Sequence, residues 1–423
     1  MRKTISVDRL CRVEGYGGIT VEIKDDRAIK VNMNVLEGAR FLEALVRGRR
    51  YDEVPDILCR ICAICSAVHK LTSIQAIEQV LEVQVSAQTQ LLRDLLIQGE
   101  NIESHALHIF CLVLPDFFKK DSVVALANEY PAEVSMGLGL KKLGNTICEI
   151  IGGRAIHPVN ALVGGFGKYP AFSAIKALKT QLEEGLEEAI KAVTFLKTIN
   201  LTGYSESPTI YAALRAVNEE FSFFGNEVIT SGGESFPVQD YKGRTNEYVV
   251  GHSNAKHSRY KEKPFMVGAL ARIILNGNRL KGKAKQALKD SGIPLSTNNI
   301  LYNNLAQAVE LVYALERAVE ICQILISEGI REEKLPDIKV KSGSGTGAIE
   351  APRGTLYHSY TLNDKGYIQE ADVITPTAQN LSNLEKDLYA TANSLVDVSG
   401  EELRFNLEMI ARAYDPCISC SVH

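Results

Sequence analysis

The sequence lacks any strong excess of charge: 47 basic residues against 51 acidic ones leave a formal charge of −4. No basic stripe runs through it, which argues against nucleic acid as a partner. It also lacks a run of eighteen apolar residues, the segment from Leu107 to Leu114 being too short to span a bilayer, so no direct membrane span is expected. Its opening, Met1-Arg2-Lys3-Thr4-Ile5-Ser6-Val7-Asp8, has no apolar signal core, and the cytoplasm is the expected compartment. Internal repeats, low-complexity linkers and a Gly-x-Gly-x-x-Gly dinucleotide fingerprint are absent too, so any NAD(P) must bind elsewhere. Nine cysteines in 423 residues do not resemble a secreted disulfide framework, which points to a reducing environment.

What is present is an ordinary globular composition, 45% hydrophobic and 23% charged, in a chain long enough for a large core. Residues Ile19–Ile23 and Ile29–Met33, separated by Asp25-Asp26, alternate apolar and polar positions and predict a β-hairpin. From Gly38 the apolar spacing becomes helical, with long stretches near 72–114, 131–150, 170–198, 303–330 and 381–414. Two Gly/Ser-rich interruptions stand at Ser231–Ser235 and Lys341–Gly347, and short β-like runs such as Ala371–Ile374 follow the second. The expected fold class is mainly α with small β portions (α+β). The whole of 1–423 reads as one interdependent unit, with a β portion over 1–37, a mainly helical body over 38–335, and β segments, a helix and a metal-binding tail over 336–423.

The chemistry sits in two Cys-x-x-Cys pairs. Cys62 and Cys65 are followed by His69, and Cys417 and Cys420 by His423, so each pair places two sulfurs within reach of one ion. A structural zinc site with four cysteines is the commonest meaning of such pairs. Against it, about 350 residues separate the pairs, far more than in a zinc ribbon or finger, and a chain of this size needs no metal staple. Soft thiolates suit zinc, copper(I), iron–sulfur clusters or nickel, so ligand type leaves the metal open. A thioredoxin-like redox pair lacks its βαβ context. Cys11, Cys59, Cys111, Cys148 and Cys322 lack the spacing and read as small buried hydrophobes.

Arg60-Ile61-Cys62-Ala63-Ile64-Cys65 with His69, and Asp415-Pro416-Cys417-Ile418-Ser419-Cys420 with His423, closely resemble the two signature motifs of nickel–iron hydrogenase large subunits. The resemblance runs nearly end to end, through Arg12–Gly15, Arg40–Glu43, Glu103–His105, Pro115-Asp116, Gly153–His157, Glu350–Gly354 and Thr375–Thr377. It implies the large-subunit fold with a central bundle of long helices. It implies that Cys62 and Cys417 bind nickel terminally, while Cys65 and Cys420 bridge nickel to an iron carrying carbonyl and cyanide. Arg353 and Thr377, with Pro352, fall where cyanide nitrogens in a dry pocket would need donors. The sequence departs from the family at Ala63 and Ser66, where glycine and proline are usual, at Tyr16 for a histidine, and at Gln379 for a tryptophan; none of these removes a ligand.

Splitting dihydrogen requires a Lewis-acidic open position and a nearby base. The resemblance gives Cys417 the first proton, assisted by Arg353, and Glu14 its relay toward solvent. It makes Asp116 the carboxylate pairing with Arg353, and His69 the hydrogen-bonding neighbour of a bridging thiolate. Glu43, the Val373 carbonyl and His423 match the ligands of a separate hard cation, usually magnesium. His105 and His157 read as core or packing residues.

No further cysteine set has cluster spacing, so an iron–sulfur small subunit must take the electrons. Segments such as Cys65–Lys70, Ser104–His108 and Gly164–Lys168 most resemble cytoplasmic NAD(P)-linked hydrogenases and sulfhydrogenases, which implies flavin and iron–sulfur diaphorase subunits. Ending at His423 fits a chain already cut by a maturation protease after nickel-insertion proteins have acted. A hydrogen-sensing protein would hold the same metals with negligible turnover, and a structural scaffold would hold zinc or nothing; the retention of all four cysteines argues against the scaffold.

Overall fold

The computed structural model describes residues 2–201, 206–216 and 218–423. Alternating burial along the first segment makes a three-stranded antiparallel sheet of β1 (Arg2–Val7), β2 (Gly17–Lys24) and β3 (Arg27–Val35). Met1, where the β portion was expected to begin, lies outside the described residues. Asp25 and Asp26 close the predicted hairpin with φ of 50° and 54°, the left-handed turn that short polar side chains tolerate.

The body is a bundle of long helices. α1 (Ser66–Leu81), α2 (Ala87–Leu107), α3 (Pro131–Gly152), α4 (Phe172–Leu196), α5 (Ala269–Asn276) and α6 (Tyr302–Glu328) enclose the largest apolar core. α2 packs on α3 and α6, and α6 on α4. The periodic stretch expected over 72–114 is two helices, because Glu82 adopts φ 52° and Ser86 caps a fresh start by accepting from the Thr89 amide at 3.0 Å. α2 runs on into a π-helical turn, His108–Val113, the kind of local widening that occurs often at functional sites. That over 381–414 is likewise split, into α7 (Pro376–Ser394) and α8 (Gly400–Ala413), with Ser399 as the second N-cap.

The described residues of 210–266, read from the sequence as part of a helical body, carry six short strands. β4 (Ile210–Arg215), β5 (Glu227–Thr230), β6 (Ser235–Pro237) and β9 (Phe265–Met266) form one sheet in the order β9-β4-β5-β6. β7 (Thr245–Tyr248) and β8 (His257–Tyr260) form an antiparallel pair. Segments this short give too few alternations for a period to show.

The Gly/Ser stretch at Lys341–Gly347 is an interruption only in composition. It opens β10 (Gly343–Ala351), which pairs with β11 (Gly354–Leu362) and through it with β12 (Ile368–Ile374). The glycines let this edge lie directly on α1: a Cβ at Gly345 or Gly347 would fall 2.4 Å from the Ala76 or Thr72 carbonyl oxygen. Gln79 and Gln75 of α1 accept from the Thr346 and Ala348 amides at 2.5 and 3.0 Å, covering an otherwise open strand edge. No helix among the described residues is long and apolar enough to cross a membrane.

Candidate metal centre

Cys62 leaves a 3-10 turn in extended conformation and Cys65 immediately precedes α1, so their loop projects two sulfurs beside the start of the helix. Cys417 and Cys420 lie in the buried tail after α8, which Asp415 turns with φ 51°. The residues around Glu14 fasten that tail. Glu14 bridges Cys417 in a parallel β contact, and its carbonyl accepts from the Ile418 amide at 3.0 Å. Gly15 has φ +87°, and a Cβ there would sit 2.6 Å from the Ile418 Cβ, so the close approach requires glycine.

All four sulfurs lie within 4.8 Å of one another, all buried. Cys62 and Cys417 are 3.3 Å apart, Cys65 and Cys420 3.3 Å, and Cys417 and Cys420 2.9 Å. Burial opposes ionisation of Cys62, but hydrogen bonds from Cys417, Cys420 and Cys65 and the Arg353 charge outweigh it and hold the thiol well below its ordinary value. Cys417 is also lowered against its burial, chiefly by Cys420. Cys65 is pushed up through its hydrogen bond to Cys417, and Cys420 by burial. Four convergent, dry sulfurs with a guanidinium alongside fit a soft or borderline thiolate-bound metal centre.

An enclosed cavity next to Cys65, Cys417 and Cys420 is walled by Arg353, Thr377 and apolar side chains. Arg353 is fixed by Asp415, donating to its backbone carbonyl at 2.7 Å and its carboxylate at 2.8 Å. Thr377 Oγ1 accepts from the Cys417 amide at 3.0 Å, leaving its hydroxyl proton free to donate. Cys417 Sγ lies 3.2 Å from Glu14 Oε2, and the Ser419 amide donates to the same oxygen at 2.9 Å. Burial and the Cys417 charge raise Glu14 to about 7. His69 Nε2 lies 3.8 Å from Cys420 Sγ; burial lowers this histidine to about 3, so the ring is neutral.

The sequence pattern of nickel-dependent hydrogenases matches residues 40–142 and 215–423. The chain belongs to that family. This hydrogenase is 41% identical to sulfhydrogenase 1 subunit alpha of Pyrococcus furiosus, over 99% of its own length and 97% of that protein's. It is 39% identical to sulfhydrogenase 2 subunit alpha of the same organism, covering 99% and 98%. A solved NAD+-reducing [NiFe]-hydrogenase in its H2-reduced state superposes with a TM-score of 0.92 at 26% identity, covering 100% of this chain and 99% of that one. The chain is therefore the large, catalytic subunit of a hydrogenase, with the expected α+β large-subunit fold.

One expected pairing is wrong. Asp116 does not meet Arg353: it takes Arg412 Nε at 2.7 Å and Nη2 at 2.9 Å, and also pairs with Arg12. Asp116 follows the π-helical turn and faces α8 and the N-terminal loop, whereas Asp415 adjoins the cysteine tail and reaches the arginine. Cys11 is another difference, being exposed rather than buried.

The second ion's expected residues do come together. Glu43 Oε1 accepts from the Val373 amide at 2.7 Å, His423 Nε2 lies 2.6 Å from the Val373 carbonyl oxygen, and the histidine stands 3.8 Å from Glu43. Pro352 accepts through its carbonyl from Arg272 at 3.0 Å. His105 and His157 are packing residues, on Glu310 and on the Cys59 carbonyl. Gln379 is buried and donates to the Thr355 carbonyl at 2.7 Å.

Sequence reasoning missed several supports. Arg40 donates to the carbonyls of Ile61 at 2.5 Å and Ser419 at 2.6 Å, joining the two cysteine loops. Glu100 accepts the Ala67 and Val68 amides at 2.5 and 3.1 Å, capping α1 from a neighbouring helix. His358 Nε2 lies 3.0 Å from His69 Nδ1 and its Nδ1 lies 2.6 Å from the Tyr360 hydroxyl, fixing the ring that faces Cys420. Arg40 stood within a family motif; Glu100 and His358 carried no local signal.

Proposed function

We propose that Cys62, Cys65, Cys417 and Cys420 hold a nickel and an iron ion, the iron carrying two cyanides and one carbonyl. In the arrangement the family resemblance implies, Cys62 and Cys417 would hold nickel, and Cys65 and Cys420 would be shared with iron. Supporting a centre at these sulfurs, the enclosed cavity adjoins Cys65, Cys417 and Cys420 and offers Arg353 and the Thr377 hydroxyl as donors in its wall. When bound, the centre supplies the Lewis acidity that lets dihydrogen be cleaved heterolytically.

The chain's own residues then manage the proton. Cys417 Sγ accepts it, and the Glu14 carboxylate at 3.2 Å receives it and passes it outward. That contact is the observation that carries the reading, because it gives one of four similar sulfurs a proton acceptor. Arg353, anchored by Asp415, keeps a positive charge beside the sulfurs. His69 donates toward Cys420 and tempers its basicity. Glu43, the Val373 carbonyl and His423 hold a magnesium ion, which ties the tail to β12.

Electrons leave to an iron–sulfur small subunit and onward, through flavin and iron–sulfur diaphorase subunits, to NAD(P) or a similar soluble acceptor in the cytoplasm. The likeness to an NAD+-reducing hydrogenase supports that acceptor class. Maturation requires nickel-insertion proteins and a protease. Infrared spectroscopy of the purified complex, alongside nickel and iron analysis, tests the centre: bands of metal-bound carbonyl and cyanide are expected, and their absence from a metal-replete sample would overturn it.

A further inference from the structure

A second convergence of metal-ligating side chains lies apart from the cysteines. His252 in the turn between β7 and β8, His257 at the start of β8 and Glu385 on α7 bring one ring nitrogen each and a carboxylate oxygen within 4.8 Å of one another. His252 Nε2 lies 2.7 Å from Glu385 Oε1, and His257 Nδ1 lies 3.7 Å from Oε2. The two imidazoles stand edge to face with centroids 5.6 Å apart. The Met33 amide of β3 donates to Glu385 Oε1 at 2.8 Å and orients the carboxylate.

His257 is the unusual member. It is fully buried, and neither ring nitrogen has a hydrogen-bond partner. A buried imidazole with both nitrogens unmatched costs free energy, which a bonded partner would recover. Its burial and the nearby His252 lower it to about 4, so the ring is the neutral species that ligates metals. His252 and Glu385 remain partly exposed, with side chains 24% and 19% accessible, which gives an ion an entry path and leaves room for water ligands. Of the positive side chains, Lys30 acts on Glu385 and Arg259 on His257.

We propose that His252, His257 and Glu385 bind a divalent first-row transition cation of the zinc class, at a site separate from the cysteine centre. Two imidazoles and a carboxylate suit such an ion better than magnesium or calcium. Ligand nitrogens about 2.0–2.1 Å from the metal stand roughly 3.3 Å from one another, so the His257–Glu385 spacing needs little change and the His252–Glu385 hydrogen bond lengthens as the ion replaces its proton. The ion would tie the β7–β8 turn and the start of β8 to α7, beside the Met33 amide of β3 that already holds Glu385.

The test uses the holoenzyme, washed with a mild chelator and titrated with cobalt(II) alone. Wild type is expected to take up one cobalt, with d–d absorption of nitrogen and oxygen ligation and no thiolate-to-cobalt charge transfer. His257→Gln and His252→Asn each remove one ligand and are expected to weaken uptake by at least the roughly 10–100-fold that loss of an outer-shell partner alone costs. His252→Asn alters a partly exposed turn and should keep full hydrogenase activity, so its loss of cobalt would not reflect misfolding. No uptake by wild type, equal uptake by the active His252→Asn variant, or a charge-transfer band showing cobalt on the cysteines would each overturn the proposal. The nickel and iron content of the same samples reports separately on the cysteine centre.

Discussion

Arg272→Met should be among the most damaging single changes in the protein, and its cost should depend on pH. Arg272 is buried on α5 between Glu310 and Glu350, both also buried. It donates to Glu310 at 2.6 Å from Nε and from Nη2, to Glu350 at 2.9 Å, and to the Ala351 and Pro352 carbonyls at 2.9 and 3.0 Å. Burial raises the Glu350 carboxyl, whereas Glu310 ends below its ordinary value because Arg272 and His105 outweigh its burial. Both carboxyls lose the guanidinium, and Glu310, which Arg272 holds low against its burial, keeps only His105 at 2.9 Å. To become neutral at pH 7 from an unfolded reference of 4.5, it must take up a proton at a cost of about 3.4 kcal/mol (2.5 units at about 1.36 each). The same step at pH 5 costs only about 0.7 kcal/mol (0.5 unit at about 1.36). In the variant the folded Glu310 value lies above the unfolded one, so this contribution to stability is intact below the unfolded value and is lost as pH rises. The two backbone carbonyls add about 1 kcal/mol each at either pH. Urea unfolding of wild type and variant at both pH values measures the difference. A gap that stayed the same at pH 5 and pH 7, or a loss at pH 7 under about 1 kcal/mol, would refute the argument.

Cys417→Ser should abolish hydrogen turnover, whereas Glu14→Gln should keep its nickel and iron but no longer exchange the product proton with solvent in a hydrogen–deuterium assay; normal exchange in the glutamine variant would remove Glu14 from the proton path. Gly15→Ala should release nickel without unfolding the bundle, because its Cβ would meet the Ile418 Cβ at 2.6 Å in a loop that already has φ +87°. Wild-type nickel content in that variant would mean the cysteine tail does not depend on this contact.

The parts of the molecule legible in the sequence are those with long periods or distinctive spacing. The Asp25-Asp26 hairpin, the stretches that became α3, α4 and α6, and the two cysteine pairs all fall in that class. Breaks inside long apolar patterns were missed, since Glu82 and Leu395–Ser399 interrupt a helix through backbone conformation rather than composition. Gly345 and Gly347 misled in the other direction, because glycine chosen for close packing on a helix looks the same as glycine chosen for a loop. Asp116 and Asp415 show where family motifs run out. Both are acidic residues in recognisable motifs, and only the folded chain decides which meets Arg353 and which meets Arg412.

The parallel contact between Glu14 and Cys417 has a consequence in time. A ribosome makes Cys62 355 residues before Cys417, a lag of about 20–70 s at a synthesis rate of roughly 5–20 residues per second. Throughout that interval the first two thiols belong to half a site, with Arg40 lacking one of the two loops it joins and Glu14 lacking the strand partner it will hold. Metal delivered to such a nascent chain would find two sulfurs instead of four. Faithful loading therefore depends on a clock set by chain length, and a tail held away from Glu14 would keep the site open until delivery is complete.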